Sequence, residues 1–172
     1  SELRQKLLHT AEPARADALL TLFVREGKLR CTAGRYALAD FTVRYTKRQA
    51  ALRTELLETY RAMGLRPERA ERVLARFAAH DRAEAERVLE SLLTDGALVR
   101  LAPQTYLSGA VYAQVCETAR AHFADHDTLT LAHFRDLLAT SRDQTLLLLE
   151  CLDRGGLTRR EGEVRRAGGA LY

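Results

Sequence analysis

The sequence FRDLLATSRDQTLLLLECLDRGGLTRREGEVRR, residues 134–166, decides the fold. Its first five residues have the composition of a short helix, and the hydroxyl of Thr140 or Ser141 can cap a second helix after a tight turn at Ala139. The second helix contains a run of four leucines and ends at a Gly-Gly pair, because glycine readily adopts the left-handed conformation that closes a helix. This order predicts a helix-turn-helix.

The residues after the glycine pair have the alternation of two short strands. Residues 157–160 alternate between apolar and polar side chains, a Glu-Gly pair can turn the chain, and residues 163–166 return. A helix-turn-helix followed by a basic hairpin is a winged helix, so the predicted fold class is mostly α with small β wings, an α+β arrangement. Both surfaces that such a fold shows to nucleic acid carry arginine here.

The same pattern occurs three times along the chain. Gly27, Gly96 and Gly155 are each followed two residues later by leucine and preceded by apolar residues at helical spacing. The intervals between these glycines, 69 and 59 residues, are too long for a solenoid repeat and suit small independent domains. We therefore predict tandem winged helices: a partial one over 1–45, a complete one over 46–109 and a third over 110–172.

The elements of the three units follow from the same signals. Helices are expected over 2–8, 13–26, 46–63, 67–79, 81–95 and 110–125, wing strands over 28–31, 36–39, 97–101 and 105–108, and a short strand over 128–130. Asp81 is expected to cap its helix through a capping box, and the last five residues are expected to fray. The opening helix of the first unit is missing before Glu2, so we expect the chain to be a piece of a longer protein.

Composition narrows the possible classes of function. The net charge of +4 and the pI of about 9.2 permit an anionic partner without requiring one. The three cysteines are far apart and lack CxxC spacing, which suggests a reducing, cytoplasmic setting, and no apolar run approaches the ~20 residues that span a bilayer. The five histidines are scattered and are interpreted as surface residues, so we expect no metal site. Without a nucleophile elbow, Walker loop or Rossmann loop, we expect no enzyme and no cofactor.

Basic charge is concentrated at the last predicted wing. Residues 111–172 are net acidic, with 8 arginines against 9 acidic residues, yet residues 154–166 contain five arginines and two glutamates. Neighbouring residues of a strand face opposite ways, so Arg159 and Arg160 cannot share one surface, and the same limit applies to Arg165 and Arg166. One arginine of each pair could therefore meet a phosphate backbone while the other is solvated or ion-paired.

The start of the second helix offers another anion site. The amides of Ser141, Arg142 and Asp143 lack intrahelical partners, and the helix dipole favours negative charge there. Arg142 adds a planar donor fork suited to a phosphate or a guanine edge. Asp143 would repel phosphate or accept a hydrogen bond from a base amino group. Ordinary helix capping explains the same three residues equally simply.

The strings FRDLL-TSR and LLE--DR-GLTRR-G--R resemble the last winged-helix domain of the bacterial selenocysteine-specific translation elongation factors. The resemblance extends more loosely over the whole chain, because those factors end in four tandem winged helices. It implies that the third unit binds an mRNA hairpin, the SECIS element, beside the selenocysteine UGA codon. The residues implied to contact RNA are Arg135, Thr140, Ser141, Arg142, Arg154, Arg159, Arg160 and Arg165. Asp143 joins the predicted RNA contacts through its place at the helix start and not through the resemblance.

The resemblance also implies partners that this chain would not bind directly. In the family, GTP, magnesium and the selenocysteyl-tRNA bind to a GTPase portion that is absent here. The ribosome would be contacted through that same portion. We also expect the protein to be a monomer. Three positions depart from the family. The family commonly has glycine at Ala139, a basic residue at Asp143 and aromatic residues near Cys151-Leu152.

Two other classes of function remain open from the residues. A winged-helix transcriptional regulator would bind operator DNA as a dimer. A protein-interaction module is supported by Leu146–Leu149, because a helix cannot turn four consecutive leucines toward a single core.

Overall fold

Helices followed by small antiparallel hairpins make up this chain in the computed structural model, which describes residues 13–32, 35–39 and 44–171. The first segment contains α1 (Pro13–Arg25), β1 (Leu29–Thr32) and β2 (Arg35–Leu38). The second contains α2 (Lys47–Met63), α3 (Ala70–Leu74), α4 (Ala79–Thr94), β3 (Leu98–Ala102) and β4 (Thr105–Ser108). The third contains α5 (Gly109–Asp125), β5 (Leu129–Thr130), α6 (Leu131–Leu138), α7 (Arg142–Arg154), β6 (Thr158–Glu161) and β7 (Val164–Ala167).

The predicted fold class, mostly α with small β wings, is confirmed. Strands β1 and β2 pair antiparallel, as do β3 and β4, and the third sheet has the order β5-β7-β6. Most predicted elements agree with the observed ones to within a residue or two. The predicted helix over 2–8 lies outside the described residues. None of the helices that the structure describes has the length and apolar character to cross a membrane.

Helix α2 forms as its sequence predicts. The Thr46 hydroxyl accepts from the Gln49 amide at 3.2 Å, and the Gln49 side chain accepts from the Thr46 amide at 3.0 Å, which completes a capping box. Leu52, Leu56 and Tyr60 form the buried stripe of the helix. Burial of this stripe against α4 supplies much of the core of the second segment.

Helix α3 is shorter than the predicted helix over 67–79. Arg69 has an extended backbone and pairs with Thr105 of β4 as an isolated bridge, and the Ala70 amide donates to the Gln104 carbonyl at 2.8 Å. The hairpin therefore holds Arg69 in an extended conformation, and the helix begins at Ala70.

The predicted capping role of Asp81 is wrong. Helix α4 begins two residues earlier, at Ala79, so Asp81 lies inside the first turn, where it is only 6% exposed. Its carboxylate accepts two hydrogen bonds from Arg48 of α2, one of them from Nε at 2.9 Å. These bonds hold the pKa of Asp81 below its usual value. A residue predicted to act locally thus joins two helices.

Two clusters of buried side chains organise the second and third segments. The first cluster packs α2, α3 and α4 against the inner residues of the hairpin, Leu98 and Tyr106. The second cluster packs α5, α6 and α7 together with Leu101 and Leu107 from the same hairpin. Hairpin β3–β4 therefore contributes to both cores. The domain boundaries at 45/46 and 109/110 remain predictions.

The end of the described chain is packed, so the expectation that residues 168–171 fray is wrong. Leu171 is fully buried in the second cluster, and its carbonyl accepts from Arg120 Nε of α5 at 2.6 Å. The Gly168 amide donates to the Leu157 carbonyl at 2.8 Å. A Cβ on Gly168 would lie 2.1 Å from the Gly156 carbonyl oxygen, so this close approach requires glycine. We call residues 168–171 the terminal strap.

Candidate nucleic-acid interface

The turn between α6 and α7 places Ser141 at the start of the second helix. Ala139 ends α6 in the left-handed conformation, with φ 47° and ψ 45°. Ser141 is extended, and its hydroxyl accepts from the Gln144 amide at 3.3 Å. Of the two predicted caps, Ser141 is therefore the one that caps α7, and its hydroxyl already has a partner in the free protein.

Two buried oxygens beside this turn have no partner among the described residues. They are Thr140 Oγ1 and Gln144 Oε1, four positions apart at the start of α7. Both can accept a hydrogen bond, and Oγ1 can also donate one. Gln144 was not among the residues predicted to contact RNA. Its position three residues after the cap, where a side chain points back toward the helix start, is the sequence signal that could have identified it.

The charged residues of the helix-turn-helix differ in how they are paired. Arg135 donates from Nε and Nη2 to one oxygen of Asp136, at 2.9 and 2.6 Å. Arg142, the first residue of α7, is exposed, and within the described ranges it has no ion-pair partner. Asp143 is exposed beside it. The start of α7 therefore presents the guanidinium of Arg142, which is not ion-paired within the described ranges, and the exposed carboxylate of Asp143.

On the wing, strand register decides which arginines share a face. Arg159 pairs opposite Arg166, and Arg160 pairs opposite Arg165. Opposite residues of antiparallel strands point to the same side of the sheet, so Arg159 and Arg166 lie together on one face. This agrees with the prediction that one arginine from each neighbouring pair, 159/160 and 165/166, shares a surface. Both are exposed. Arg166 was missing from the predicted RNA contacts; alternation alone could not choose between it and Arg165.

Glu161 joins the two arginines of this face. Its Oε1 accepts from Arg159 Nη2 at 2.6 Å, and its Oε2 accepts from Arg166 Nε at 2.7 Å. The hydrogen bonds from Arg166 and then Arg159 hold the pKa of Glu161 below its usual value. We call Arg159, Glu161 and Arg166 the wing triad.

Arg165 does not lie on the surface, in contrast to its predicted place among the RNA contacts. It is 3% exposed, and its Nε donates to Asp153 Oδ2 of α7 at 3.2 Å. The other oxygen of Asp153 accepts from the Thr158 hydroxyl at 2.5 Å. Arg165 therefore fixes the wing against α7. Its pair across the sheet, Arg160, is exposed and donates to the Gly162 carbonyl at 3.1 Å.

Arg154 faces the second segment. Its Nη2 donates to the carbonyls of Leu101 and Arg100, at 2.6 and 3.2 Å. The Cys151 thiol lies 3.6 Å from the same Arg100 carbonyl. Both residues belong to α7, so the helix that begins at the candidate interface ends against hairpin β3–β4.

Three histidines predicted to be scattered on the surface lie together where α5 meets α6. The rings of His122 and His126 stack with centroids 4.5 Å apart, and His133 is 4.9 Å from His122. His122 is buried, and its Nε2 donates to the Thr128 carbonyl at 2.9 Å. Nevertheless, no group of three metal-ligating side chains is arranged to hold an ion in the described part of the chain.

Comparisons with known proteins show which proteins this chain is similar to. Residues 121–167 match the family model for the winged helix of elongation factor SelB. The selenocysteine-specific elongation factor of Desulfomicrobium baculatum is 26% identical over 156 residues, which is 90% of this chain and 24% of that protein. The chain thus spans about a quarter of this curated relative.

Two solved structures share the fold. One is the mRNA-binding domain of SelB from E. coli in complex with SECIS RNA, with a TM-score of 0.58 and 22% identity over 72% of this chain and 99% of that one. The other is the bacterial selenocysteine-specific elongation factor EF-Sec, with a TM-score of 0.59 and 15% identity over 87% of this chain and 23% of that one. Together with the family match, these findings confirm the resemblance: residues 121–167 match the SelB winged helix, and the chain is similar to the C-terminal winged-helix region of such factors.

Proposed function

We propose that this chain binds an mRNA hairpin as the C-terminal region of a selenocysteine-specific elongation factor. Binding would tether the factor to its mRNA while selenocysteine is incorporated at UGA. The observation that carries the proposal is the SelB-type winged helix over 121–167 with exposed arginines at both of its recognition surfaces. The role is one of binding, and the chemistry of GTP hydrolysis would belong to a part of the factor outside this chain.

The chemistry of folded RNA fits these two surfaces. The deep major groove of an A-form helix excludes side chains, so a protein grips the duplex through phosphates and reads bases where they leave the stack. Arg159 and Arg166 on the wing suit phosphate contacts. Arg142 at the helix start offers an exposed guanidinium, which suits the edge of an unstacked base.

The remaining segments would act as an arm between the RNA and the body of the factor. Support comes from hairpin β3–β4, which packs into the cores of both the second and third segments. We call hairpin β3–β4 the joint between the second and third segments. Because it is buried in both cores, the two segments are expected to move together. The ribosome and the selenocysteyl-tRNA would be contacted through the body of the factor rather than through this chain.

A filter-binding titration tests the proposal. A hairpin RNA is compared with duplex DNA of matched charge at two salt concentrations, and the RNA should bind more tightly at both. Arg142→Ala should weaken hairpin binding by about 1–3 kcal/mol. Arg72→Ala removes an exposed arginine from α3 and serves as the matched control, with no change expected. Preference for duplex DNA would favour the DNA-binding regulator instead.

A further inference from the structure

The wing triad places a carboxylate where two arginines converge. Glu161 gives one oxygen to each arginine, at 2.6 Å to Arg159 and 2.7 Å to Arg166. We propose that Glu161 occupies the position on the wing that an RNA phosphate takes in the complex, and so acts as a built-in competitor that sets affinity and salt dependence. The proposal rests on the proposed function for the identity of the anion, and it adds the residue that regulates the site.

The geometry of the triad supports exchange of one anion for another. Carboxylate and phosphate both present oxygens that accept from a guanidinium fork, and arginine recognises both in this way. Arg159 and Arg166 are directly opposite each other across the hairpin, so their side chains leave the same face at the same level. Two donors held on one carboxylate are therefore also placed to share one phosphate group.

The energetics make Glu161 displaceable. The side chains of the triad are exposed by 70% for Arg159, 40% for Glu161 and 48% for Arg166. Ion pairs at this level of exposure contribute little to stability, because water screens the attraction and ordering the side chains costs entropy. An incoming phosphate thus has to overcome only a weak interaction. The carboxylate nevertheless stays charged, since both arginines favour its ionised form.

Asp153, the carboxylate that pairs with Arg165 of the wing, is not displaceable in this way. Asp153 is bonded to Arg165, whose side chain is only 4% exposed, and also to the Thr158 hydroxyl. Displacing Asp153 would leave a buried guanidinium without its carboxylate, which is strongly unfavourable. The hairpin therefore has one pairing that fixes its structure and another, Glu161, that can be released.

A change in salt dependence follows from this exchange. Phosphate contacts release counterions from RNA, and each contact adds to the slope of log K against log salt. With Glu161 in place, the arginines are partly neutralised before binding, and the carboxylate is left close to the phosphates afterwards. Removing its charge should therefore raise hairpin affinity and steepen the salt dependence.

The test compares Glu161→Gln with Glu163→Gln in the full chain. Both variants remove one negative charge from the same hairpin, but in the described part of the chain Glu163 forms no ion pair with an arginine. We expect Glu161→Gln to bind hairpin RNA about three- to ten-fold more tightly at low salt, with a slope steeper by roughly 0.7–0.9. Glu163→Gln should give a clearly smaller gain in both quantities.

A second readout does not need RNA. Inorganic phosphate is titrated while the side-chain Nε–H resonances of Arg159 and Arg166 are followed by NMR. In Glu161→Gln these resonances should shift at several-fold lower phosphate than in the wild type or in Glu163→Gln.

The outcomes separate the two proposals. Equal gains for both variants, or weaker RNA binding by Glu161→Gln, would overturn the competitor role, since they would indicate a general charge effect or an ordering role. If the wild type does not bind hairpin RNA while the phosphate difference persists, the proposed function fails and the anion site stands. If hairpin RNA binds but neither readout separates the variants, the proposed function stands and the competitor role fails.

Discussion

The second and third hairpins of this chain have the same connectivity and opposite surroundings. Hairpin β3–β4 has Leu98 in one core and Leu101 and Leu107 in the other, so it is covered on both sides. Hairpin β6–β7 is covered on one side by α7 and exposes Arg159 and Arg166 on the other. The same structural element is therefore a joint in one place and an open surface in the other.

The difference shows that the number of apolar faces on a hairpin decides whether it is buried between two cores or exposed on one side. Strand β3 reads LVRLA and β4 reads TYLS, with apolar residues at consecutive positions that must point to both faces. Strands β6 and β7 read TRRE and VRRA, where the apolar positions are few and the arginines occupy both faces. A strand that is buried on both faces lacks the alternation of apolar and polar residues, so the burial of hairpin β3–β4 on both faces could be recognised from the sequences of its strands.

The largest expected effect breaks the joint. Leu101→Ala should lower the free energy of unfolding by about 2–5 kcal/mol, because it leaves a cavity in a fully buried position between the segments. Urea denaturation followed by circular dichroism measures this change. Leu137→Ala removes the same atoms from a side chain that is 45% exposed, and it should cost less than about 1 kcal/mol. Similar losses for the two variants would mean that the second hairpin is not buried between two cores.

The next effect concerns the close backbone contact between the residue that follows each hairpin and the residues that precede it. A Cβ on Gly109 would lie 2.8 Å from the Gly96 carbonyl oxygen, and one on Gly168 would lie 2.1 Å from that of Gly156. Gly168→Ala should therefore cost about 1–3 kcal/mol in stability, since the terminal strap must move away from the backbone of Gly156 and Leu157. Gly169→Ala is the matched control, because a Cβ there meets nothing within 4 Å. Thermal unfolding of the two variants gives the comparison, and equal melting temperatures would show that the strap is not packed.

The third prediction separates the arginine of the joint from those of the open wing. Arg154→Ala removes the bonds to the Leu101 and Arg100 carbonyls, and we expect a loss of about 1–2 kcal/mol in stability. Arg160→Ala removes an exposed side chain and its bond to the Gly162 carbonyl two residues away, and should leave stability unchanged within about 0.5 kcal/mol. If Arg154→Ala instead lowers hairpin affinity without affecting stability, this arginine works at the RNA, as the family resemblance implied.

Local signals made most of the fold predictable from the sequence. The capping box at Thr46, the cap at Ser141 and the helix-closing glycines act within a few residues, so each could be read directly. Asp81 could not, because its partner Arg48 is 33 positions away and competes successfully with the local cap. The terminal strap was missed for the same reason, since Leu171 is buried by residues far from it in the chain.

The candidate site was predictable only in part. Strand alternation showed that Arg159 and Arg160 face opposite ways, which the register confirms. It could not say that Arg165 faces the core and Arg166 faces solvent, because that choice depends on the pairing of Leu129 in β5 with Arg165. The pairing of Glu161 with both arginines also required the strand register, since Arg166 is on the opposite strand.

The smallest effect concerns the turn that presents the open surface. Ala139 has φ 47° and ψ 45°, a conformation that costs an alanine roughly 1–2 kcal/mol and a glycine very little. Part of this gain is offset because glycine loses more conformational entropy on folding, so Ala139→Gly should stabilise the chain by about 0.5–1 kcal/mol. Ala132→Gly, in the helical part of α6, should instead destabilise it by a similar amount. Chemical denaturation measures both shifts, and a loss of stability in both variants would show that Ala139 is not left-handed in solution.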